Sequence, residues 1–349
     1  MECIKRCKSY FAAANGYGGF RSYFGTVFAP QKFKKLFIIK GGPGTGKSTL
    51  IKRIAKKAED AGFYTERIFC SSDPKSLDGI IIENGDRRIG MLDGTAPHMT
   101  DPSYPGAIDT IINLGECWDE RWLEAKRNEI IELDREKKNA YHTAYNYLSI
   151  CGECERLIKG DIDFEKIEEF SKKAIKYLAE SFKESEIKYS EDRLLSSFGR
   201  FGYHSLAEEK AELGEALRPS DDTFISRLII TEIRKKLHLM SVPCIGFPDP
   251  LNAELYDSLY IPEAQRIITA DGGKLIDLAG DDILSSVELE RQKIMRRAYA
   301  ECTNEAERWF SIASDFHFRL EEIYTQTMDF DKIDAIFNQK CDYIMSLLS

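Results

Sequence analysis

The chain has 349 residues, of which 43% are hydrophobic and 31% are charged, and its formal net charge is −9. This length predicts about two domains, and the composition is typical of folded rather than disordered proteins. The acidic balance argues against a nucleic-acid partner, because affinity for nucleic acid rests mainly on Lys and Arg. No run of about 18 consecutive apolar residues occurs, so we expect no membrane span.

The N-terminal segment lacks an apolar run long enough for the core of a signal peptide, and the nine cysteines are an odd number. Both features favour reduced thiols in a reducing compartment. We therefore expect a cytoplasmic protein. We also expect the two close cysteine pairs, Cys3 with Cys7 and Cys151 with Cys154, to hold no zinc.

The first motif follows a short apolar run at residues 36–39, which predicts a buried parallel strand. Residues 41–48 then read GGPGTGKS and match G-x-x-x-x-G-K-[ST] in full. Glycines let backbone N–H groups point at an anion, the lysine neutralises phosphate charge, and the serine hydroxyl can bind Mg²⁺. Apolar residues at helical spacing up to Gly62 predict the helix whose N-terminus completes such a site. The predicted nucleotide-binding residues are Gly41, Gly42, Pro43, Gly44, Thr45, Gly46, Lys47, Ser48 and Thr49.

Acidic residues follow the next two predicted strands. One strand ends shortly before Asp73, and residues 79–94 predict a hairpin whose second strand ends in Asp93. A carboxylate in that position can hold Mg²⁺ directly or through water. Asp73 is a site candidate but can equally begin a turn, because Asp-Pro is a common turn sequence. We therefore predict that Ser48 and Asp93 bind the metal.

These motifs resemble known proteins. The loop is similar to that of the P-loop NTPase superfamily, and GGPGTGKST is similar to its ATPase and kinase branches. The stretches CSSDPKSLDG and LDGTAPHMTDPSYPGAID resemble a group of bacterial tandem P-loop ATPase-like proteins, in which two related halves each carry this arrangement. The resemblance covers most of the chain. It implies a nucleotide site lined by Asp73, Asp78, Asp93, Thr95 and His98.

Two features bear on the nucleotide and its hydrolysis. ATP is predicted rather than GTP, because no N-K-x-D guanine motif occurs. Many P-loop ATPases carry a water-activating glutamate directly after the metal-binding Asp, whereas this chain has Gly94 there. We therefore predict slow hydrolysis, with Lys47, Asp73, Asp93 and His98 as the catalytic candidates. His98 could orient a water, pair with a carboxylate or cap its segment.

The second half of the sequence repeats the first. The longest aligned segments run without gaps at an offset of 174, since 222 − 48 and 244 − 70 agree. Ordered repeats of this kind predict a duplication. The repeated pairs are 48–70 with 222–244, 88–94 with 266–272, and 163–170 with 329–337.

The second copy lacks the chemistry of the first. Under this offset Lys47 falls on Asp221 and Ser48 falls on Asp222. Carboxylates in these positions would repel phosphates. The preceding EEKAELGEAL is polar and predicts a helix without a strand. We therefore predict a pseudo-NTPase domain that keeps Asp271 but binds no nucleotide.

The predicted fold class is α/β: a P-loop NTPase-type, mostly parallel sheet with helical insertions, duplicated as two related α/β halves. Residues 1–190 form the predicted nucleotide-binding domain, with a helical arm at about 116–185. Residues 191–349 form a degenerate copy, with a second arm at about 286–325. The apolar stripes on the arms are most simply packing surfaces, and a lid or an arm that binds a protein partner is the alternative.

The leading functional hypothesis is an ATP-binding, Mg²⁺-dependent P-loop ATPase-like protein. One alternative is a small-molecule kinase in which Asp73 or Asp78 accepts the proton of a substrate hydroxyl. The other alternative is a nucleotide sensor that binds without turnover.

Overall fold

The structure, a computed structural model, describes residues 8–183, 190–276 and 286–349, which form two α/β halves. Cys3 and Cys7 lie outside the described residues, and the described cysteines are free thiols.

The first half contains β1 (Ser9–Phe11), β2 (Ala13–Gly16), β3 (Gly19–Ser22), α1 (Phe24–Val27), β4 (Lys35–Lys40), α2 (Lys47–Asp60), β5 (Tyr64–Phe69), β6 (Leu77–Asn84), β7 (Arg87–Asp93), β8 (Asp109–Asn113), α3 (Glu120–Ala125), α4 (Arg127–Lys159) and α5 (Phe164–Ala179), with 3-10 turns at Pro30–Lys32 and Leu114–Cys117. The second half contains β9 (Glu191–Asp192), β10 (Ser196–Gly199), β11 (Gly202–Ser205), α6 (Ala207–Leu213), β12 (Glu215–Arg218), α7 (Thr223–Leu239), β13 (Ile245–Pro248), β14 (Tyr256–Ile261), β15 (Arg266–Thr269), β16 (Lys274–Leu275), α8 (Ser286–Thr325) and α9 (Phe330–Leu348).

Each half contains a six-stranded sheet with the same arrangement of strands. The orders are β1-β5-β6-β7-β4-β8 and β9-β13-β14-β15-β12-β16. From the first strand onward, both sheets pair parallel, antiparallel, antiparallel, parallel and parallel. The predicted mostly parallel sheet is therefore found as a mixed one, in which β6 and β14 run antiparallel to the other strands of their sheets because short connections reverse the chain before and after them. The two similar halves that the sequence predicts are present.

One prediction about the second half is half right: the predicted helix is present as α6, but the predicted lack of a strand is wrong. The polar sequence before α7 predicts a helix without a strand, but β12 lies there between β15 and β16, in the place that β4 takes in the first sheet. Leu217 is buried in the core, and Glu215 forms an ion pair with Arg266 of the neighbouring strand. Tertiary pairing of this kind overrides a weak local preference for helix.

The repeat is less regular than the offset of 174 suggests. Cys70 follows β5 directly, whereas its aligned partner Cys244 precedes β13. The reason is that α7 has 17 residues and α2 has 14, so the register changes within the aligned segment.

A short β-hairpin precedes β4 in the first half, and another precedes β12 in the second half. The sequence does not predict this repeat. The hairpins β2–β3 and β10–β11 are closed by the pairs Gly16–Gly19 and Gly199–Gly202. The tip of the first hairpin reaches the second half, where the Tyr17 N–H donates to the Leu251 carbonyl (2.9 Å). The second hairpin reaches the first half and lies against the backbone of Ser72. Each half therefore contacts the loop after the fifth strand of the other.

The two halves also exchange their last helices. α5 follows the first half in sequence, but its residues, among them Leu178, pack with α7 in the core of the second half. α9 ends the second half, but its residues, among them Ile344, pack with α2 and the first sheet. Each predicted domain, 1–190 and 191–349, thus contains a helix that belongs to the core of the other.

The repeated sequence at the start of these two helices is a repeated N-cap. The Asp163 carboxylate accepts hydrogen bonds from the N–H groups of Glu165 and Lys166 at the start of α5. The Asp329 carboxylate accepts one from the N–H of Lys332 at the start of α9. Such caps satisfy backbone donors that a helix leaves unpaired, so they set the residue at which each exchanged helix begins.

α4 and α8 carry the chain from each half to its exchanged helix. They pack in antiparallel orientation: Leu133 near the start of α4 packs with Leu320 near the end of α8. At the other end, the Gln292 side chain donates to the Ile158 carbonyl. The apolar stripes of the two predicted arms therefore lie largely against each other. None of the described helices has both the length and the apolar character needed to span a lipid bilayer.

Helix layers enclose the two sheets. β4 shows the pattern: Leu36 and Ile38 face an apolar cluster shared by both sheets, while Phe37 and Ile39 face α2 and α9. On the far side, α7 and α5 cover the second sheet. β4 is thus buried on both faces, which gives the loop that follows it a rigid starting point.

The helix exchange predicts that shortening a buried side chain of α9 destabilises the protein, because the side chain loses its contacts with α2 and the first sheet. Ile344→Ala removes a fully buried side chain from that contact and should lower the free energy of unfolding by about 2–5 kcal/mol. The measurement is urea denaturation followed by circular dichroism. The matched control is Ile150→Ala, the same change at a side chain that is 48% exposed, with an expected effect below about 1 kcal/mol. Equal effects of the two variants would contradict the exchange.

Candidate functional site

The loop after β4 turns sharply into α2. Gly44 and Gly46 take positive φ angles of 69° and 83°, which L side chains rarely adopt. The Lys47 ammonium group donates to the carbonyls of Gly41 (3.2 Å) and Gly42 (2.7 Å). Among the described residues no side chain caps the start of α2, so its first N–H groups are available to an anion.

The remaining predicted loop residues have different surroundings. Thr45 is buried, and its hydroxyl donates to the Gly42 carbonyl (2.9 Å). Ser48 Oγ accepts a hydrogen bond from the Leu77 N–H (2.9 Å), which ties the loop to the start of β6. Thr49 is exposed on the first turn of α2. The hydroxyl of Ser48 therefore lies at the junction of the loop and the strand that carries Asp78.

The end of α8 lies against this loop. A Cβ added at Gly42 would lie 2.8 Å from the Tyr324 ring, and one added at Gly44 would lie 2.6 Å from the Glu321 carbonyl. The Thr325 hydroxyl donates to the Gly44 carbonyl (3.2 Å). These glycines thus permit the close approach of a helix from the other half. The sequence gives no signal of this contact, because the partners are 281 positions apart.

Glu321 places a carboxylate beside the loop. A hydrogen bond from His317 holds the pKa of Glu321 below its usual range, and the backbone N–H of Gly44 and the charge of Lys47 act in the same direction. His317 Nε2 lies 3.4 Å from the carboxylate. A loop N–H group and a lysine are the groups that stabilise a bound phosphate, so Glu321 occupies surroundings suited to an anion.

Two carboxylates and a histidine meet on the other side of Lys47. Asp93 ends β7, and its Oδ1 accepts hydrogen bonds from the Thr95 N–H (2.9 Å) and hydroxyl (2.6 Å), while its Oδ2 lies 3.7 Å from the Lys47 ammonium group. Asp78 is buried at the start of β6, where burial and the charge of Asp93 raise its pKa to about 7. One ligand atom from each of Asp78, Asp93 and His98 lies within 4.8 Å of the others.

His98 is held in place by stacking rather than by hydrogen bonds. Its ring stacks on Phe24, with centroids 4.3 Å apart and planes at 9°. Burial lowers the pKa of His98, so the imidazole is neutral at pH 7. Its Nε2 has no hydrogen-bond partner among the described residues and lies 4.0 Å from Asp78 Oδ2. The side chain therefore faces the carboxylates and does not cap its own segment.

Position 94, where many P-loop ATPases carry a glutamate, has no room for a side chain. A Cβ added at Gly94 would lie 2.4 Å from Ile38 Cγ2 and 3.2 Å from the Thr100 carbonyl. The Lys40 side chain fastens this segment by donating to the carbonyls of Gly94 and Thr100. The tight packing of the segment thus accounts for the glycine in physical terms.

Asp73 lies in the loop between β5 and β6 and acts in a turn. Its carboxylate accepts a hydrogen bond from the Lys75 N–H (3.0 Å), and its carbonyl accepts one from the Ser76 N–H (2.9 Å). Cys70, which follows β5, lies close enough to Asp78 for a thiol hydrogen bond to its carboxylate. The structure therefore adds Cys70 to the surroundings of Asp78, a residue that sequence reasoning does not select.

The start of α7 in the second half is filled by the chain itself. The Asp222 carboxylate accepts a hydrogen bond from the Phe224 N–H (2.9 Å) and lies 2.7 Å from the Arg296 guanidinium of α8. Asp271 lies beyond the end of β15, with its carboxylate 3.8 Å from Lys210. A protein carboxylate thus occupies the helix N-terminus at which the first half leaves its N–H groups open.

Comparison of the chain with family models, curated proteins and solved structures gives no match.

The raised pKa of Asp78 predicts that ionisation of this side chain lowers the free energy of unfolding as the pH rises. The folded protein keeps this group protonated up to about pH 7, whereas the unfolded chain releases the proton near pH 4. The contribution of Asp78 to the free energy of unfolding is thus full below pH 4 and is lost as the pH rises through 7. Asp78→Asn cannot ionise and should stabilise the protein more at pH 8 than at pH 5, by about 1–3 kcal/mol. Urea denaturation in EDTA measures this, and Asp86→Asn, at an exposed hairpin turn, is the control. A gain that does not depend on pH would contradict the assignment.

The Glu321 contact predicts competition with anionic ligands. Glu321→Gln removes the negative charge beside Gly44 and Lys47 and should tighten the binding of an anionic probe of the loop, inorganic triphosphate, about two- to fivefold, equivalent to ~0.5–1 kcal/mol. Isothermal titration calorimetry measures the affinity. Glu322→Gln is the same change one position along, at an exposed side chain, and should leave the affinity unchanged. Weaker binding in Glu321→Gln would show that the carboxylate supports the ligand instead.

Proposed function

We propose that the chain binds ATP with Mg²⁺ at the loop of the first half and hydrolyses it slowly, while the second half binds no nucleotide. The observation that carries this proposal is the position of Lys47. It lies at the uncapped start of α2, against two loop carbonyls and 3.7 Å from Asp93 at the end of the adjacent parallel strand β7. A charge between a helix N-terminus and a carboxylate suits a phosphate chain with its metal.

Each predicted ligand has a role that its chemistry supports. The loop N–H groups and Lys47 would bind the phosphates, and Ser48 and Asp93 supply oxygen donors of the kind that Mg²⁺ prefers. ATP is proposed rather than GTP because the sequence lacks the N-K-x-D guanine motif. In the second half, Asp222 caps α7 itself, which supports a pseudo-NTPase role for that half.

Slow turnover is proposed because the usual glutamate is missing and position 94 cannot hold one. Two nearby groups have proton affinities suited to accepting a proton from water. Asp78 has a pKa raised to about 7, and His98 is neutral. We assign the proton-accepting role to these two residues rather than to Asp73, whose carboxylate is used in a turn.

A second candidate function is nucleotide sensing without turnover. The observation that favours it is the contact of α8 with the loop, through Tyr324 at Gly42 and Thr325 at Gly44. A ligand in the loop would change the surroundings of α8, a helix of 40 residues that belongs to the second half. Phosphate release from ATP separates these functions. Steady release supports the ATPase, and binding without release supports the sensor. Turnover of ATP only with an added small molecule supports the kinase alternative.

The proposal predicts one ATP per chain and its loss when Lys47 is removed. Lys47→Ala should weaken ATP–Mg²⁺ binding at least tenfold and abolish phosphate release, because the phosphate charge loses its nearest cation. Titration calorimetry gives both the affinity and the stoichiometry. Lys56→Ala, at an exposed position on the same helix, is the control and should bind as the wild type does. Two ATP molecules per chain, or full binding in Lys47→Ala, would contradict the proposal.

A further inference from the structure

His98 is a buried polar group that lacks a hydrogen-bond partner within the described residues. Its side chain is 7% exposed, and its Nε2 makes no hydrogen bond although two carboxylates lie close by. Burying a polar atom without a partner costs free energy, so a structure normally satisfies such an atom with a ligand, a water or an ion. The direction of Nε2, towards Asp78 Oδ2 at 4.0 Å, shows where that partner belongs.

The two carboxyl groups beside His98, those of Asp78 and Asp93, favour a bound cation. Asp78 is buried at 7% exposure, and its carboxylate lies close to that of Asp93. Lys47 is the nearby cation, but its ammonium group is 3.7 Å from Asp93 and already donates to two loop carbonyls. Two neighbouring carboxyl groups of low exposure can be ionised together only when further positive charge lies beside them. A bound divalent cation would compensate both carboxylates and give the imidazole nitrogen a partner.

The three side chains come from elements that fix their positions. Asp78 lies at the start of β6 and Asp93 at the end of β7, on adjacent strands. Thr95 holds one oxygen of Asp93 with two hydrogen bonds, which leaves the other oxygen for a ligand. The Phe24 ring holds the imidazole of His98. With one ligand atom of each within 4.8 Å of the others, side-chain shifts of about 1 Å bring them to the spacing around an ion.

We propose that Asp78, Asp93 and His98 form a binding site for one divalent transition-metal ion of the Mn²⁺, Co²⁺ or Zn²⁺ class, which the chain binds without nucleotide. A neutral imidazole nitrogen with two carboxylate oxygens is a donor set for these ions, whereas Mg²⁺ favours oxygen donors and retains several waters. The site goes beyond the proposed function, because the ion needs neither ATP nor the loop, and while the ion is bound Asp78 and His98 act as its ligands and do not accept a proton. Asp93 belongs to both sites, so the ion lies next to the phosphate loop.

Mn²⁺ is the probe of choice, because the chain has nine cysteines and thiolates bind Mn²⁺ poorly. The full-length chain is stripped with EDTA, desalted and titrated with Mn²⁺ in the absence of nucleotide, and free Mn²⁺ is followed by electron paramagnetic resonance. The expected result is one ion per chain. His98→Gln should weaken binding more than tenfold, and His142→Gln, at an exposed histidine on α4, should not change it.

Lys47→Ala separates this site from the nucleotide site. It removes a cation beside Asp93 and should leave Mn²⁺ binding equal or tighter, while ATP binding is lost. Circular dichroism confirms that each variant is folded, and Asp78→Asn replaces His98→Gln if the latter is not. Equal Mn²⁺ affinity in the wild type and the folded ligand variant, or Mn²⁺ binding only with ATP present, would overturn the site. Failure of the nucleotide proposal would appear instead as absence of ATP binding in the wild type.

Discussion

The constraint on which the rest of the structure depends is that neither half covers its sheet alone: α2 and α7 each pack on their own sheet, and a helix from the other half joins each of them. α9 closes the outer face of the first sheet, and α5 closes that of the second. Burial of apolar surface contributes about 25 cal/mol per Å², so these faces cannot be left open to water without a large loss of stability. The two halves must therefore fold together, and α4 and α8 must cross from one half to the other.

This crossing decides what surrounds the loop between β4 and α2. Because α8 delivers α9 to the first half, its last turns pass over the loop and bring Glu321 and Tyr324 to it. The second half thereby contributes to the site of the first, although the start of its own α7 is filled by Asp222. The two similar halves differ here: the first has no side-chain cap at the start of α2, and the second supplies the helix that lies against the loop before it.

The sequence predicts the local elements around the loop well and the tertiary contacts poorly. The strand before the loop, the helix after it and Asp93 at a strand end follow from short-range patterns, and all are found. β12 is missed because its polar residues are satisfied by neighbouring strands, which no local pattern reveals. The contact of Thr325 with Gly44 and the exchange of helices depend on residues far apart in the chain. The hairpin of β6 and β7 is predicted from the sequence, whereas the antiparallel pairing of β5 with β6 is not, because the apolar runs do not specify the direction of that connection.

The measurement that tests the central claim most directly is a crystal structure of the full chain with Mg²⁺ and a non-hydrolysable ATP analogue. The account predicts one nucleotide, with its phosphates at Gly44 and Lys47, its metal beside Asp93, and the Glu321 carboxylate displaced from the loop. A nucleotide bound in the second half, or a loop that stays in contact with Glu321 at saturating ligand, would contradict it.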